Sequence, residues 1–594
     1  MKETLSSLLR KFLIWKYKHI SEHNFVFMLS ALIGLVAGLI SVLIKNITYA
    51  IAYVAELGLS ITRNGLYFFL PMLGLFGVYL IVEKLYKKGV FNPMPTVLYA
   101  LSKRGGKLSG DKFFFPLITA PLTVGFGGSV GLLSPTILSA SAASSAFGDL
   151  FHLNRKTRQL LIACAAAGVI ATSFQSPIAA VVFAIEIFSL DLTFASLLPL
   201  LIASLVSVIT SFFFVGDQVL FKVMLTESFS VNDTPLYLLL GLFAGLVSVY
   251  FHKVHFAITG FFHKVRSKAM RLAIGGLFIG AMLFAIPPLY GEGFSVINNL
   301  LASDHQSVIE GSLLNRWADS PYVVIVLLIG ITLFKSVVMT TTIAAGGTGG
   351  IIIPALVMGS SLGNAVAKLI NQLGFTHGVS EANFTLVGMA AILAGVLQAP
   401  LTAIFLIAEI TGGYALFIPL MLAVSMAYLI TKNSLNHTIY TKELAEKDAL
   451  LSFDKDQSVL TLMTLDSVIE TNFVVLRADM TFRELLQQGV AQSSRNLFPV
   501  VDELEQLVGI ILLDDIRPFL FDQTVYDKTT VMAYMTRPPE TISYEKDSMQ
   551  KVMQRFQDSG AWNLPVLKSG KYAGFVSKSK LLTAYRRELI NFTN

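Results

Sequence analysis

The sequence predicts a polytopic α-helical membrane protein that contains an internal repeat with broken half-helices and ends in a cytosolic α/β region. The first observation is composition, since 54% of the 594 residues are hydrophobic, only 14% are charged, and the mean hydropathy is +0.66. Soluble proteins carry roughly 25% charged residues. The second observation is a pair of glycine-rich segments that recur in two halves of the chain. The third is a rise in charge beyond about residue 445.

Residues 1–23 predict a cytosolic amphipathic segment before the first long apolar run. Apolar residues fall at helical spacing with basic residues between them. The apolar residues are Leu5, Leu8, Leu9, Phe12 and Leu13, and the basic ones are Lys2, Arg10, Lys11, Lys16 and Lys18. This basic excess predicts a cytoplasmic N terminus. The net charge of +7 reflects the same bias, and no basic–aromatic pattern indicates nucleic-acid binding.

Residues 24–445 are predicted to form the transmembrane domain, with one repeat over about residues 24–215 and the other over about residues 235–445. Several apolar stretches here are shorter than the ~20 residues that a straight span needs. They indicate helices that break inside the membrane. Such breaks are tolerated only where the freed backbone groups line a cavity or are buried in protein. We therefore expect an integral protein of the lipid bilayer that encloses a polar pathway.

Short motifs recur at matching places in the two repeats. Each glycine-rich motif is followed some forty residues later by a proline motif, and nine residues after that proline comes a glutamate. The matched pairs are Gly127–Pro135 with Gly346–Pro354, Ser176–Ala180 with Ala399–Ala403, and Glu186 with Glu409. Glycine-interrupted segments at corresponding places in two halves indicate a transport site at the repeat interface. The glutamates are expected to accept hydrogen bonds from neighbouring helix N termini, although intramembrane acids are also candidate functional groups.

The glycine motifs predict a site for a small anion. A glycine run leading into a helix leaves backbone N–H groups unpaired, and together with the helix dipole these attract anions. Neither motif contains a charge, so a bound ion is held weakly enough to leave again, as conduction requires. Neither continues into the Gly-Lys-Ser/Thr of a nucleotide P-loop, and neither has the carboxylates that a magnesium channel needs. Tight helix packing by small residues is the structural alternative.

The region after residue 445 contains a repeat of its own. In each copy a helical pattern precedes an apolar strand, and a glycine then opens a second strand. The matched segments are Asn496–Val501 with Trp562–Leu567 and Gly509–Leu512 with Gly574–Ser577. These units resemble a tandem pair of CBS domains, over residues 463–521 and 530–588.

The membrane region resembles the CLC family of chloride channels and chloride/proton antiporters. The family's filter segments correspond to Phe91–Pro95, Gly131–Pro135 and Gly350–Pro354, and the tyrosine that closes the inner side of its central site corresponds to Tyr440. The resemblance implies that the anion-binding residues are Asn92, Pro93, Met94, Gly131, Leu132, Leu133, Ser134, Gly350, Ile351, Ile352, Ile353 and Tyr440. It also implies a prokaryotic homodimer with one pore per subunit and an inverted repeat. Both termini would be cytoplasmic, in a bacterial inner or plasma membrane.

Two departures from the family pattern decide the expected mechanism. Leu133 occupies the position of the gating glutamate, and Ile187 occupies the position of the internal proton-relay glutamate of the antiporters. Neither side chain titrates, so no titratable group is expected at either step of the family's proton route. The prediction is a passive anion channel. The alternatives are an anion/proton antiporter with a non-standard proton path and a transport-dead homologue.

Two further departures affect anion preference. Asn92 replaces a serine whose hydroxyl donates to the central anion in the family, and an amide donates from only one of its two ends. Pro93 has no N–H to donate. Chloride is the expected permeant ion, and nitrate, bromide or another halide are open alternatives.

The CBS repeats match the family's nucleotide motif only in part. The second copy has a phosphate-binding hydroxyl at Ser577 but Lys580 at the ribose position, whereas the first has Asp515 for the ribose but Leu512 at the hydroxyl position. The CBS pair either binds an adenine nucleotide or has a purely structural role, and the sequence leaves both alternatives open. No cofactor or metal is expected to be required. The chain shows no constellation of catalytic residues, so it is not expected to be an enzyme.

Overall fold

The computed structural model describes residues 16, 18–62, 69–86, 92–191, 193–216, 221, 229–374, 378–446, 459–460 and 463–593. The chain forms two compact units, Met1–Glu446 and Lys447–Asn594. Most of the predicted N-terminal amphipathic segment lies outside the described residues, as does Phe91 of the predicted first filter segment.

The first unit is helical, and the helices fall into two groups separated by the connection that ends at residue 233. The first group contains α1 (Glu22–Thr62), α2 (Leu70–Leu80), α3 (Pro93–Lys103), α4 (Asp111–Gly125), α5 (Leu133–Leu150), α6 (Arg155–Phe174), α7 (Pro177–Phe188) and α8 (Phe194–Val215). The second contains α9 (Thr234–Lys264), α10 (Lys268–Ala285), α11 (Phe294–Leu301), α12 (His305–Ile309), α13 (Pro321–Ala344), α14 (Ile352–Leu373), α15 (Glu381–Leu397), α16 (Pro400–Ile410), α17 (Phe417–Ser434) and α18 (Ile439–Glu446).

Helix lengths confirm a polytopic membrane fold with interrupted helices. Within the described residues, eight helical segments are long and apolar enough to cross a membrane. The apolar helices α7, α15 and α16 are shorter, at 10–17 residues, so they do not reach across a hydrocarbon core of ~30 Å. This is the pattern of broken helices predicted from the short apolar stretches.

Small residues let the central helices pack closely. A Cβ on Gly363 of α14 would lie 2.0 Å from the Phe384 carbonyl oxygen of α15, and one on Gly359 would lie 2.4 Å from the Gly388 carbonyl oxygen. No side chain larger than hydrogen fits at such distances. Close backbone approach replaces the hydrophobic effect as the packing force between helices in lipid, so these glycines hold the second group together.

The repeat extends to the backbone angles. Gly127 and Gly346, which open the two glycine motifs, have φ of 90° and 110°. Gln175 and Gln398 end α6 and α15 in the left-handed conformation, with φ of 54° and 55°. At Gly127 a Cβ would also lie 2.2 Å from the Tyr290 ring. The two halves therefore turn the chain in the same way at the same places.

The second unit contains two sheets of the same construction. The strands are β1 (Ile469–Glu470), β2 (Leu476–Arg477), β3 (Leu497–Val501), β4 (Leu507–Leu512), β5 (Ile542–Ser543), β6 (Asn563–Lys568) and β7 (Lys571–Ser577). One sheet has the order β2-β3-β4 and the other has the order β1-β7-β6-β5. In each sheet, one strand pairs in parallel with the first strand of an antiparallel hairpin, as β2 does with β3 and β5 with β6. The helices are α19 (Phe482–Glu484), α20 (Leu513–Ile516), α21 (Met549–Ser559) and α22 (Lys578–Thr593).

Candidate functional site

The two glycine motifs meet inside the first unit. The Gly131 N–H donates to the Gly350 carbonyl at 2.9 Å, and the Gly350 N–H donates to the Gly131 carbonyl at 2.8 Å. A Cβ on Gly350 would lie 2.4 Å from Ser134 Oγ, so only glycine permits this approach. Helices α5 and α14 begin directly after the two paired glycines. The structure therefore brings the predicted motifs to one place, where two helix N termini attract negative charge.

Tyr440 contacts the same place from the last helix of the unit. Its hydroxyl lies 3.5 Å from Ser134 Oγ, and the tyrosine is buried. The Asn92 amide, which is predicted to donate to the anion, donates to Glu443 at 3.4 Å. Pro93 and Met94 follow Asn92 at the buried start of α3. Ser134 and Tyr440 thus form one end of the candidate pathway, with Asn92 exposed beside them.

A cavity of about 70 Å³ lies against the other side of the first motif. Leu132, Leu133 and Ile353 form part of its wall. Side-chain hydroxyls and one cation add a polar lining, from Ser41, Lys45, Thr136, Thr172, Ser173 and Ser211. A volume of this size holds several waters or a small hydrated ion. Leu133 is only 4% exposed, so it is an apolar wall residue of this cavity.

Glu292 also lines this cavity, and sequence reasoning missed it. Its Oε1 accepts a hydrogen bond of 2.8 Å from the Leu132 N–H, at the start of α5. The expectation that the outer step has no titratable group is therefore wrong. The Leu133 side chain cannot titrate, but a carboxylate from a segment 160 residues away occupies the helix start. The available signal was Gly291-Glu292-Gly293, an acid between two glycines in an otherwise apolar stretch.

The segment that carries Glu292 is fixed on both sides. Lys335 Nζ of α13 donates to the carbonyls of Leu289 and Gly291, at 3.1 and 2.9 Å. The Gly291 N–H donates to the carbonyl of Gly127 at 3.3 Å. The backbone around Glu292 is thus tied to the first glycine motif.

The intramembrane glutamates Glu186 and Glu409 cap each other's helices. Glu186 at the end of α7 accepts from the N–H groups of Leu401 and Thr402, at 3.0 and 2.7 Å, at the start of α16. Glu409 at the end of α16 accepts from the N–H groups of Ile178 and Ala179, at 3.0 and 2.7 Å, at the start of α7. This geometry confirms the helix-capping hypothesis. Ile187 lies beside Glu186 on α7 and is partly buried.

In the second unit, the predicted phosphate-binding hydroxyl is already occupied. Ser577 Oγ donates to Glu470 Oε1 at 2.5 Å, and Arg495 Nη2 donates to Glu470 Oε2 at 2.5 Å. Burial alone would raise the pKa of the Glu470 carboxyl, but the Ser577 hydrogen bond and the Arg495 charge lower it below its ordinary value. The carboxylate thus stays charged and accepts a hydrogen bond from the hydroxyl that the resemblance assigns to phosphate binding. Asp515, the predicted ribose ligand, lies on α20.

Because Glu470 already accepts the hydrogen bond of the Ser577 hydroxyl, we expect millimolar ATP, ADP or AMP to leave the unfolding temperature of the full-length protein unchanged. In a Glu470→Ala variant, Ser577 loses its acceptor and Arg495 its counter-charge, so nucleotide should then raise the unfolding temperature. Differential scanning fluorimetry measures both. A nucleotide-dependent rise in the unmodified protein would show that the Ser577 position binds nucleotide despite Glu470.

Family models match both units. The model described as voltage gated chloride channel matches residues 73–432, which is more than half of the chain, and the CBS domain model matches residues 465–522 and 531–587. Among curated proteins, chloride channel protein CLC-f of Arabidopsis thaliana is 26% identical over 78% of this chain. The chain spans 66% of that relative's length. The voltage-gated ClC-type chloride channel ClcB of Citrobacter koseri is 28% identical, over 55% of this chain and 74% of ClcB.

Solved structures of the same fold include a eukaryotic CLC transporter and a slow cyanobacterial Cl⁻/H⁺ antiporter. The first has a TM-score of 0.59 at 18% identity and covers 94% of this chain and 99% of its own. The second has a TM-score of 0.58 at 20% identity, and the match covers 72% of this chain and 99% of the antiporter chain. At these identities the likeness shows the fold.

Proposed function

This chain belongs to the voltage-gated chloride channel (CLC) family of anion channels and transporters, and we propose that it is a chloride channel that conducts passively, without proton coupling. The identity of residues 133 and 187 carries this proposal. Leu133 lies in the wall of the cavity and Ile187 lies on α7, and neither side chain has a proton to exchange. A coupled exchanger must pass a proton along a continuous series of titratable groups, and neither of these side chains can serve as a step.

The anion pathway runs between the cavity at Leu133 and the contact of Ser134 with Tyr440. Backbone N–H groups at the starts of α5 and α14 replace part of the ion's hydration shell. No basic side chain lies within either glycine motif to trap the ion. Chloride is the proposed ion, and nitrate, bromide and other halides are the alternatives that a selectivity measurement must separate.

An anion/proton antiporter is the second candidate, and the position of Glu292 favours it. A carboxylate on the Leu132 N–H can hold a proton at the outer end of the pathway even though Leu133 cannot. The second candidate still needs a proton carrier at the other end, where Ile187 supplies none.

We also propose the assembly that the family resemblance implies. The protein would be a homodimer with one pore per subunit, in a bacterial inner or plasma membrane, with both termini in the cytoplasm. It would need no cofactor, and the CBS pair would act on the channel without nucleotide at Ser577. Cross-linking of the detergent-purified protein and light scattering would give the subunit number.

The reversal potential of reconstituted protein tests passive conduction. In a bilayer with a chloride gradient, we expect reversal at the chloride equilibrium potential, unchanged when the pH on one side is altered. A fixed proton stoichiometry would add about 1.4 kcal/mol per proton per pH unit, which displaces reversal by tens of millivolts. Such a displacement would refute the channel and support the antiporter. Protein-free liposomes and a potassium gradient at equal chloride serve as controls for leak and for cation conduction.

A further inference from the structure

Glu292 places a negative charge on a backbone donor that an anion in this pathway needs. The Leu132 N–H is directed at Glu292 Oε1 from 2.8 Å, and the N-cap residue Leu132 supplies no side-chain acceptor of its own. We propose that Glu292 gates the pathway, because its carboxylate and the permeant anion compete for the Leu132 N–H. This inference rests on the proposed anion transport.

The competition follows from what the two anions require. A chloride ion and a carboxylate both accept hydrogen bonds from N–H groups at a helix start, where the dipole adds further attraction. The Leu132 N–H lies beside a cavity of about 70 Å³ and already donates to Glu292, so it does not serve both anions at once. When the carboxylate occupies the donor, it also repels an incoming anion through the low-dielectric surroundings. The pathway opens when Glu292 turns away or becomes neutral.

The cavity contains polar groups that can bind the Glu292 carboxylate after it leaves the Leu132 N–H. Lys45 lines the same cavity, and none of the described acidic side chains forms an ion pair with it. It can therefore hold an anion that waits for the Leu132 N–H, or receive the carboxylate once an anion has displaced it. The hydroxyls of Thr136 and Thr172 line the cavity as well and offer hydrogen bonds to either anion.

Glu292 and Lys335 attract each other, but they do not form a direct salt bridge. The Lys335 ammonium is fully buried and is satisfied by the carbonyls of Leu289 and Gly291. Within the described part of the chain, no carboxylate lies within the 4 Å of a salt bridge from it. Among the described residues, the Glu292 carboxylate accepts its hydrogen bond from the Leu132 N–H. The carboxylate therefore acts directly on a backbone donor of the proposed pathway.

Protonation gives the gate a second way to open. Among the described residues, three titratable groups interact electrostatically with Glu292, namely Lys45 and Tyr49 of α1 and Lys335 of α13. Glu292 lies in the connection between α10 and α11, and burial raises the pKa of its carboxyl to about 7, against the opposing Leu132 hydrogen bond and the two lysine charges. The group is ionised above that pH and neutral below it. Acid on the side of the membrane that faces the cavity should therefore favour opening.

The side of the membrane follows from α1. Lys45 lies 23 residues after Glu22 in one continuous helix, which is about 35 Å at 1.5 Å per residue. The hydrocarbon core is ~30 Å thick, so a helix that enters the membrane near Glu22 brings Lys45 and the cavity close to the opposite side. With a cytoplasmic N terminus, that side is the outside.

Anion flux of the full-length protein in liposomes tests the gate. As the pH on the cavity side falls from about 8 to about 6, flux should rise about tenfold, following the neutral fraction of a group with a pKa near 7. Glu292→Gln and Glu292→Ala should give high flux that does not change over this range. Glu310→Gln is the matched control, because Glu310 is an exposed acid in a neighbouring connection and its loss should leave the pH profile intact.

The outcomes separate the gate from the transport mechanism. Flux and pH profile in Glu292→Gln and Glu292→Ala equal to those of the unmodified protein would overturn the gate, as would variants that elute as folded protein but carry no flux. A pH-dependent reversal potential refutes passive conduction, yet loss of the pH-dependent rate in Glu292→Gln would still support the gate. If the unmodified protein is silent, flux in the two variants supports the gate, and silence in all three overturns it.

Discussion

Replacing Leu133 by glutamate is expected to reduce chloride flux at neutral pH by about tenfold. Leu133 is the first residue of α5 and part of the cavity wall, so a carboxylate there would occupy N–H groups that the anion needs. A tenfold reduction of flux requires that the added negative charge raise the free-energy barrier to anion passage by about 1.4 kcal/mol. A glutamate has an ordinary pKa near 4.3, and the neighbouring Glu292 carboxylate raises it as a like charge. The block should therefore disappear as the pH falls through about 5, and flux measured across that range checks it.

The neutral substitution Leu133→Gln is the matched control, since it has the shape of glutamate without the charge. It should retain most of the flux and show no additional pH dependence. The double variant Leu133→Glu with Glu292→Gln moves the carboxylate from its present segment to the helix start, and it should be blocked at neutral pH as well. Unchanged flux in Leu133→Glu at every pH would contradict the placement of Leu133 in the pathway.

The contact between the two glycine motifs could be predicted from the sequence because an internal repeat implies that its two halves fold alike. Equal spacing from glycine motif to proline motif to glutamate implies equal backbone paths in the two halves. Related halves place corresponding segments on a common interface. The pairing of Gly131 with Gly350 and the exchange of caps between Glu186 and Glu409 both follow from that symmetry.

Glu292 could not be predicted in the same way because it breaks the symmetry. Its contact with Leu132 joins segments 160 residues apart, and neither hydrophobic periodicity nor the repeat specifies that separation. The orientation of the Asn92 amide towards Glu443 was missed for a similar reason. Side-chain orientation depends on whichever partners the tertiary fold supplies, and a motif gives only the residue type.

Removing the exchanged caps is expected to destabilise the membrane unit strongly. Glu186 accepts two backbone hydrogen bonds and one from the Thr402 hydroxyl at 2.5 Å. Glu186→Ala leaves these donors unpaired in apolar surroundings, which should lower the free energy of unfolding by about 3 kcal/mol. Glu409→Ala removes the acceptor of two backbone N–H groups. It should lower the free energy of unfolding by about 2 kcal/mol. Urea titration of the detergent-solubilised protein, followed by tryptophan fluorescence, would measure both.

The matched glutamine variants separate capping from proton transfer. An amide oxygen still accepts hydrogen bonds, so Glu186→Gln and Glu409→Gln should recover much of the lost stability. Because each glutamate caps the helix that carries the other, the double alanine variant should depart from additivity, as residues in one network do. Flux and reversal potential should not change in the glutamine variants. A glutamine variant with native stability but an altered response to pH would instead make that glutamate a proton carrier, and it would then supply the step that Ile187 lacks.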